Sequence, residues 1–392
     1  NIMYNFVNET VFSNVFDMSK KIHVISFQVP YPPNYGGAID VYYKLQSLKE
    51  EGYYIILHTY QYRHDRYENE LLSIVNEVHY YIRKTNILSQ FSLTPYIVNS
   101  RKDKTLLRNL QKDDAPILFE GLHTCYFLND SSLRNRIKLV RTHNVEHEYY
   151  KQLQLSSQSF RRKLFFYIEA FRLKRFEKVL TYANHILAIS TNEHKYFEKK
   201  YPHVPTSLLP CFFEQQIQKD LPGNKNYILY QGNLSVEENI KAANYILTEI
   251  APHLPDTNII IAGANPNPII TKQAQDLNQV QIIGNPTDET LNELILNAKI
   301  NLLITFQNTG VKLKLLNALY KGAYCIVNSP MVSGTGLEQL CKIADTPSGI
   351  IRLIEETMLQ PYTLTDKLRR EEALQVLYSN TKNIKIISRI LD

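Results

Sequence analysis

A strand–helix alternation that runs twice, with one interruption, limits this chain to few folds. Short apolar, β-branched segments alternate with stretches whose apolar residues have the spacing of an amphipathic helix. The pattern pauses between about residues 201 and 224, where four prolines occur, and then starts again. Parallel strands joined by crossover helices form sheets that are covered on both faces. The sequence therefore predicts an α/β protein with two Rossmann-like βαβ domains facing a central cleft, where ligands bind at the carboxyl ends of the strands.

The interruption suggests where the domains begin and end. At ~150 residues per domain, 392 residues favour two domains with extra elements. We expect a leader (1–17), a first domain (18–201), a linker (202–224), a second domain (225–362) and a helical tail (363–392). The leader has no basic start and no continuous apolar stretch, so it does not resemble a signal peptide. We expect the natural start near Met18; a short packed N-terminal segment is the alternative.

Composition excludes several classes of protein. Apolar residues make up 44% of the chain and charged residues 21%, which are values of globular proteins. No apolar run approaches the ~18–20 residues of a membrane-spanning helix. The net charge of +6 does not by itself indicate a nucleic-acid partner. The four cysteines are far apart in sequence, which argues against a thiolate metal site and indicates a reduced, cytoplasmic location.

Polar and titratable residues crowd the ends of two predicted strands in the first domain. Residues 141–148 read RTHNVEHE directly after an apolar strand, and a histidine follows another strand nearby. Carboxyl ends of parallel strands meet at one edge of a sheet, which opens into the cleft. The alternatives are a capped helix start, with Asn144 as the N-cap, and an ordinary packed histidine. The candidate catalytic residues are His123, Arg141, His143 and Glu146.

Three glycine-containing turns could bring the backbone close to an anion. Free N–H groups at a helix N-terminus favour phosphate, and glycine lets it approach. Lysines in a first helical turn oppose the helix dipole by ~0.3–1 kcal/mol each, a cost that a bound diphosphate would remove. The alternatives are a plain βα turn and solvated lysines. The candidate donor-binding residues in these turns are Gly36 and Gly37, Gly232 and Asn233, and Thr309, Gly310, Val311, Lys312 and Lys314.

In combination, these segments resemble a known family of enzymes. The Gly-Gly turn, RTHNVEHEYY, GNLS and TGVKLKLLNALYKG, in this order, are similar to segments of GT-B glycosyltransferases, and most similar to the retaining family-4 group. The resemblance covers nearly the whole chain after Met18. It implies that Gly36 and Gly37 approach the donor diphosphate. It also implies that His123 lies beside the reacting centre, and that backbone N–H groups of 309–311 hold the diphosphate.

The chain departs from the family-4 pattern at the donor site. That pattern usually has an arginine where this chain has Asn233. It also has two glutamates eight positions apart, where this chain has Thr309 and Asn317. Lys312 and Lys314 would then supply the charge that faces the phosphates, and Asn317 would hydrogen-bond a ribose.

The resemblance implies a transferase that uses a nucleotide sugar. We expect it to move a hexosyl group to a glycan or lipid-linked acceptor in polysaccharide assembly, with retention of configuration. No Asp-x-Asp sequence is present, so we expect a metal-independent reaction with no cofactor beyond the donor. Two other hypotheses stay open: a catalytically weakened GT-B protein that binds nucleotide sugars, and a nucleotide-sugar 2-epimerase.

Residues 160–180 carry nearly the whole net charge of the chain. Seven basic residues stand against two glutamates, and aromatic and aliphatic residues lie between them. A basic amphipathic helix can lie on an anionic bilayer, so the segment Phe160–Leu180 predicts peripheral attachment to the inner face of a membrane. The alternative is a surface helix whose apolar face packs in the core. We expect no nucleic-acid partner.

Overall fold

A computed structural model of the chain describes residues 20–33, 36–61, 67–85, 92–157, 159–215, 220–307 and 313–392. Its strands fall in two sheets, one in each half of the chain. The first sheet contains β1 (Lys21–Ser26), β2 (Tyr54–Gln61), β3 (Glu77–Ile82), β4 (Ile117–Glu120), β5 (Lys138–Thr142), β6 (His185–Ala188) and β7 (Thr206–Leu208). The second contains β8 (Lys225–Gln231), β9 (Asn258–Gly263), β10 (Val280–Gly284), β11 (Ala298–Leu303), β12 (Tyr324–Val327) and β13 (Lys342–Ile343).

Both sheets are parallel throughout their described pairings. The first has the order β3-β2-β1-β4-β5-β6-β7 and the second the order β10-β9-β8-β11-β12-β13. In each sheet the order reverses beside the first strand, at β1/β4 and at β8/β11. Such a reversal opens a crevice at the carboxyl ends of the two strands. The predicted fold class, two Rossmann-like domains, is confirmed.

Helices connect the strands and cover the sheets. In the first half these are α1 (Gly36–Glu50), α2 (Glu68–Leu72), α3 (Tyr96–Asn99), α4 (Lys104–Leu110), α5 (Glu146–Ser156), α6 (Phe160–Phe176) and α7 (Thr191–Lys200). In the second half they are α8 (Glu237–Tyr245), α9 (Pro268–Ala274), α10 (Asp288–Asn297), α11 (Leu313–Lys321), α12 (Ser329–Val332), α13 (Pro347–Met358), α14 (Leu364–Leu377) and α15 (Asn380–Leu391).

Strand composition explains why the cores form. The central strands β1, β4, β8 and β11 are buried on both faces, as expected of parallel strands between two helix layers.

Two helices show how the sequence fixes helix starts. The hydroxyl of Ser190 accepts a hydrogen bond from the Glu193 amide at the start of α7, and Thr363 forms a capping box with Asp366 before α14.

The linker and the tail differ from the sequence-based division. Residues 206–208 were assigned to the linker, but they pair with β6 and extend the first sheet as β7. The tail is helical as expected, yet α15 packs on α1 of the first domain. Its Ile384 and Ile387 are buried in a core cluster with Val41 and Leu45. The chain therefore returns to the first domain at its end, where the apolar face of α15 is covered.

Candidate active site

The carboxyl ends of β1, β4 and β5 bring most of the predicted catalytic residues together. Register pairs Glu120 of β4 with Arg141 of β5, so the residues that follow each strand emerge side by side. Phe27 follows β1, and its ring lies 5.4 Å from the rings of both His123 and His143, centroid to centroid. The residues that follow these three strands therefore lie together at the carboxyl edge of the first sheet.

A buried charge cluster underlies this edge. Lys44 Nζ of α1 donates to Asp40 Oδ2 at 2.9 Å and to Glu120 Oε1 at 2.8 Å. Arg141 contacts both carboxylate oxygens of Asp40 at 3.2 Å, and His143 Nε2 lies 3.1 Å from Glu120 Oε2. All but His143 are fully buried. The charges of Lys44 and Arg141 thus balance those of Asp40 and Glu120 within one buried network. His143 is the most exposed residue of this network.

Electrostatics in this cluster keep the acids charged. Burial alone would raise the pKa of Asp40, but Arg141 and Lys44 more than offset it and hold that pKa well below its usual value. The pKa of Glu120 is likewise lowered by Lys44 and His143 against the effect of burial. The predicted catalytic role of Arg141 needs correction: its guanidinium is fully buried and faces Asp40, so it positions neighbours and does not reach the cleft.

Asp40, Glu120 and His143 have the atom types and spacing of a metal site. One ligand atom from each lies within 4.8 Å of the others. However, Lys44 Nζ already lies within 2.9 Å of both carboxylates. An incoming cation would have to displace this ammonium group, so the residues present fit an ion-pair network better than a metal ion.

The same cluster holds the start of the interdomain linker. Arg141 donates to the backbone oxygen of Leu209, and the Phe212 amide donates to Asp40 Oδ1 at 2.7 Å. On the other side of this linker, Asn380 of α15 donates to the oxygen of Phe213 at 2.8 Å. Residues 209–213 are thereby fixed between the first-domain edge and α15.

His123 lies at the open side of the edge. It follows Gly121, whose φ of +74° turns the chain sharply after β4. A Cβ on Gly121 would lie 2.9 Å from His123 Nδ1, so glycine is needed for the histidine to take this place. Burial, with Arg101 nearby, holds the pKa of His123 well below its usual value. The imidazole is therefore neutral near pH 7, and its Nδ1 has no hydrogen-bond partner among the described residues.

Glu146, the first residue of α5, faces His123. Its Oε1 lies 3.8 Å from His123 Nδ1 and has no hydrogen-bond partner within the described ranges. Burial raises the pKa of Glu146 to about 8. A carboxyl group at a helix start is ordinarily charged, so this one is unusual: near pH 7 it is mostly neutral and can donate a proton to a hydrogen bond.

Gly36 and Gly37 begin α1, as the glycine turn predicted. A Cβ on Gly37 would overlap the ring of Phe27, so this glycine is required by packing against an aromatic residue of the site. A Cβ on Gly36 would lie 3.7 Å from Leu313 Cδ1, the first described residue of α11. The start of α1 therefore lies close to the first described residue of α11 across the cleft, and the N-terminus of a helix favours an anion.

The second-domain candidates are only partly described. Thr309, Gly310, Val311 and Lys312 lie outside the described residues. Lys314 Nζ donates to Asn239 Oδ1 at 3.0 Å and lies 5.1 Å from the centre of the Tyr230 ring.

Around the end of β8, Asn239 packs against Gly232 and donates to the backbone oxygen of Asn233. The Asn233 side chain accepts from the Ser235 amide at 3.0 Å and forms a local turn. Asn317 is half-buried on α11. Lys314 therefore lies at the carboxyl end of β8, beside Tyr230 and Gln231.

A groove of about 900 Å³ opens between α5 and α6 of the first domain and α8 and α9 of the second. Tyr149, Leu153 and Phe166 line one side, and Glu238 and Phe306 line the other. Glu238 accepts a hydrogen bond from the hydroxyl of Thr305, two residues after β11. Glu238, the second residue of α8, is not among the site residues that the sequence predicts.

No protein-family model matches the chain. A curated relative, described as an uncharacterized 44.6 kDa protein in the cps region of Klebsiella pneumoniae, is 28% identical over 330 residues, which cover 81% of this chain and 84% of that protein.

Solved structures of two-domain glycosyltransferases superimpose over nearly the whole chain. Sucrose-phosphate synthase from Thermosynechococcus elongatus gives a TM-score of 0.71 at 12% identity, over 95% of this chain and 98% of that chain. Anabaena HepE, in complex with UDP and glucose, gives 0.65 at 12% identity, over 95% and 99%. TarM gives 0.65 at 9% identity, over 95% and 99%.

The chain has the GT-B fold. At these identities the likeness establishes architecture and cleft, while the narrower resemblance to the retaining family-4 group stays a prediction. No helix within the described ranges is long and apolar enough to span a membrane.

Proposed function

We propose that this protein is a glycosyltransferase that moves a sugar from a nucleotide-sugar donor to a glycan or lipid-linked acceptor. The observation that carries the proposal is the position of His123. Its neutral imidazole, whose Nδ1 has no hydrogen-bond partner among the described residues, lies at the carboxyl edge of the first sheet of a GT-B fold, beside the buried Glu146. A ligand in the cleft could supply hydrogen bonds to these two buried polar atoms.

The cleft offers the two kinds of group that sugar transfer requires. The bond between the anomeric carbon and the donor diphosphate breaks, so negative charge develops on the leaving group. The N-termini of α1 and α11, with Lys314 at the end of β8, would stabilise that charge. His123 would hydrogen-bond the transferred sugar or the acceptor hydroxyl, whose oxygen forms the new bond to the anomeric carbon.

The role of Glu146 follows from its environment. A neutral carboxyl group can donate to His123 Nδ1 once the two side chains approach within hydrogen-bonding distance. That bond would leave His123 Nε2–H to donate towards the cleft. Glu146 then acts by fixing the histidine tautomer, while His143 is held in place by Glu120.

Retention of configuration, a metal-independent reaction and the hexosyl class belong to the same proposal. Fixed cations and helix N-termini would supply what a divalent metal supplies in other transferases. The expected product keeps the anomeric configuration of the donor sugar, and the proton–proton coupling at the anomeric position of the product reports it directly.

The experiment has two stages. A thermal-shift screen with nucleoside diphosphates and nucleotide sugars first finds the donor, since binding at a hundredfold excess over Kd stabilises the fold by about 2.7 kcal/mol. The protein is then incubated with that donor and with glycan and lipid-linked acceptors, with and without EDTA. Transfer in both conditions supports the proposal. Donor binding with no product under any condition would indicate a weakened binding protein, and release of an epimer would indicate a 2-epimerase.

A further inference from the structure

Helix α6 has two apolar faces, and only one of them is covered. The inner face packs on the first domain through Ala170 and Leu173, which are at most 3% exposed. The outer face carries Phe160, Leu164, Tyr167 and Phe171, spaced i, i+4, i+7 and i+11 along one side of the helix. The sequence left open whether the apolar residues of this segment pack in the core; the structure places half of them outside it.

The outer stripe is strongly exposed. Phe160 is 79% exposed, Phe171 66%, Tyr167 61% and Leu164 51%. Leu155, at the end of the adjoining helix α5, is 73% exposed. Single exposed apolar residues are common on proteins, but a continuous row of aromatic and aliphatic side chains marks a surface that contacts something else.

Cations flank this stripe on both sides. By helical geometry, Lys163 and Lys174 lie along one flank, and Arg161 and Arg175 lie along the other. All four are exposed. We call the stripe with these four residues the α6 outer face.

The two glutamates of the segment do not reduce the charge of this face. Glu169 is fully buried on the inner side, where Arg172 donates to it at 2.9 Å and the Tyr96 amide donates at 2.7 Å. Glu177 is also buried and pairs with Lys200 at 2.6 Å. In the sequence, both glutamates lower the net charge of residues 160–180. In the fold, both side chains point inward. The α6 outer face therefore carries four cations and neither of the two glutamates of this segment.

The position of α6 relates this face to the cleft. Phe166 and Arg162 of the same helix line the groove between the domains, together with Leu155. Arg162 contacts Glu237 of α8 at 3.4 Å, so one side of the helix faces the second domain. A surface that binds the α6 outer face would thus lie beside the groove opening.

We propose that the α6 outer face docks on an anionic lipid bilayer and holds the groove opening at the membrane surface. Aromatic side chains favour the boundary between headgroups and acyl chains, and lysine and arginine attract anionic headgroups. A second copy of this chain fits less well, because a two-fold contact would bring like-charged flanks together. The consequence for the acceptor, that it is amphiphilic and presented from the bilayer, rests on the proposed function; the docking does not.

Co-flotation with vesicles tests the docking without donor or acceptor. Wild-type protein should float with vesicles of phosphatidylcholine and phosphatidylglycerol at low salt, and much less with phosphatidylcholine alone. The triple variant Lys163→Glu, Lys174→Glu and Arg175→Glu should bind the anionic vesicles at least about 100-fold more weakly. The control reverses three exposed lysines elsewhere, Lys272→Glu, Lys382→Glu and Lys385→Glu, and should stay close to wild type.

Substitutions in the outer stripe test the apolar contribution to vesicle binding. Phe160→Ser with Phe171→Ser should reduce binding at least tenfold, while Leu359→Ser, at a side chain 87% exposed in the second domain, should not. Circular dichroism melting should be unchanged, since these side chains make few contacts.

Three results would overturn the docking. They are no flotation of wild-type protein at low salt, equal flotation with neutral and anionic vesicles, and a dimer without lipid that the serine variants dissociate. The last result would assign the face to a second copy. Because none of these measurements uses a sugar donor, failure of the docking is separate from failure of the transfer reaction.

Discussion

The two edges of the cleft are built from different kinds of group. The first-domain edge is a network of buried titratable side chains, in which Lys44, Arg141 and His143 are all paired with Asp40 or Glu120. The second-domain edge is described only in part, because residues 308–312 lie outside the described ranges. Its described part offers Lys314 with a neutral partner and a turn held by amide side chains.

Because of this difference, we expect the two edges to have separate functions. A network of paired buried charges is rigid, and it fixes the direction of the histidines beside it. An edge whose described part offers the half-buried cation Lys314 suits a charged ligand that enters and leaves. The first domain should therefore determine stability and turnover, and the second should determine nucleotide affinity. The predictions below test that division in order of expected effect.

The largest effect should come from Lys44→Met. Removing this ammonium leaves Asp40 and Glu120 buried beside each other with only part of their compensation. We expect the free energy of unfolding, measured with urea, to fall by ~3–5 kcal/mol. Lys314→Met is the matched variant in the second domain and should cost far less, since its partner is a neutral amide. Equal losses in both variants would contradict the proposed difference between the edges.

Nucleotide affinity, unlike stability, should depend mainly on the second-domain edge. Lys314→Ala should weaken binding of the donor diphosphate by ~1.5–3 kcal/mol, roughly 10- to 100-fold in Kd, because a charge-assisted contact is lost. Isothermal titration calorimetry with the donor nucleotide measures this change. Lys272→Ala, an exposed lysine on α9, is the control. A Kd for Lys314→Ala equal to that of wild type would remove this lysine from the donor site.

Acid should destabilise the first domain through a row of buried histidines. His23 Nε2 contacts Asp113 Oδ1 at 2.9 Å, its Nδ1 contacts His58 Nε2 at 2.8 Å, and His58 Nδ1 contacts the Tyr81 hydroxyl at 2.8 Å. Burial lowers the pKa of both histidines, that of His58 strongly. The second domain has one histidine, the exposed His253.

The direction of this pH dependence follows from proton uptake. Below pH ~6.5 the unfolded chain binds protons at these histidines and the folded chain does not, so stability falls as the pH falls. We expect losses of up to ~1.4 kcal/mol per pH unit per histidine, measured by urea unfolding at pH 7 and below. His58→Gln should flatten the slope. A slope unchanged by this substitution would place the acid sensitivity elsewhere.

The smallest effect is expected for Glu146→Gln. Because burial raises the pKa of Glu146 to about 8, the carboxyl group is mostly neutral at pH 7 and glutamine resembles it. Turnover should stay close to wild type at pH 7, whereas Glu146→Ala should reduce it.

Stability gives a second test of the same carboxyl group. Between pH 4.5 and about 8 the folded state holds a proton that the unfolded state has lost. Wild-type stability therefore falls as the pH rises through this range, and Glu146→Gln should remove that fall. Loss of turnover in the glutamine variant at pH 7 would instead show that Glu146 acts as a charged group.

Much of the fold could be predicted because hydrophobic periodicity is a local property. Alternation of strands and helices gave two parallel sheets and the position of the crevice. The two strands that were missed, β7 and β13, are three and two residues long, too short to carry a pattern. The packing of α15 on α1 could not be predicted either, because it depends on which groove the final fold leaves open.

The same limit applies to the candidate site: only residues whose position follows from the local sequence pattern could be predicted. Residues that follow strands closely, such as His123 and His143, could be placed at this edge because their position in the sheet follows from the sequence. Asp40 and Lys44 were missed because an acid and a lysine four positions apart on a helix ordinarily form a solvated pair. Phe27 was missed because an aromatic residue after a strand has no distinctive signal.

The most direct test of the account is turnover beside nucleotide affinity in His123→Ala. We predict a loss in kcat of ~10²-fold or more with a nearly unchanged Kd for the donor nucleotide, because the histidine serves the reacting centre and the second domain holds the nucleotide. His253→Ala, at an exposed position in the second domain, should change neither value. Near-wild-type turnover in His123→Ala would contradict the placement of the reaction at the first-domain edge.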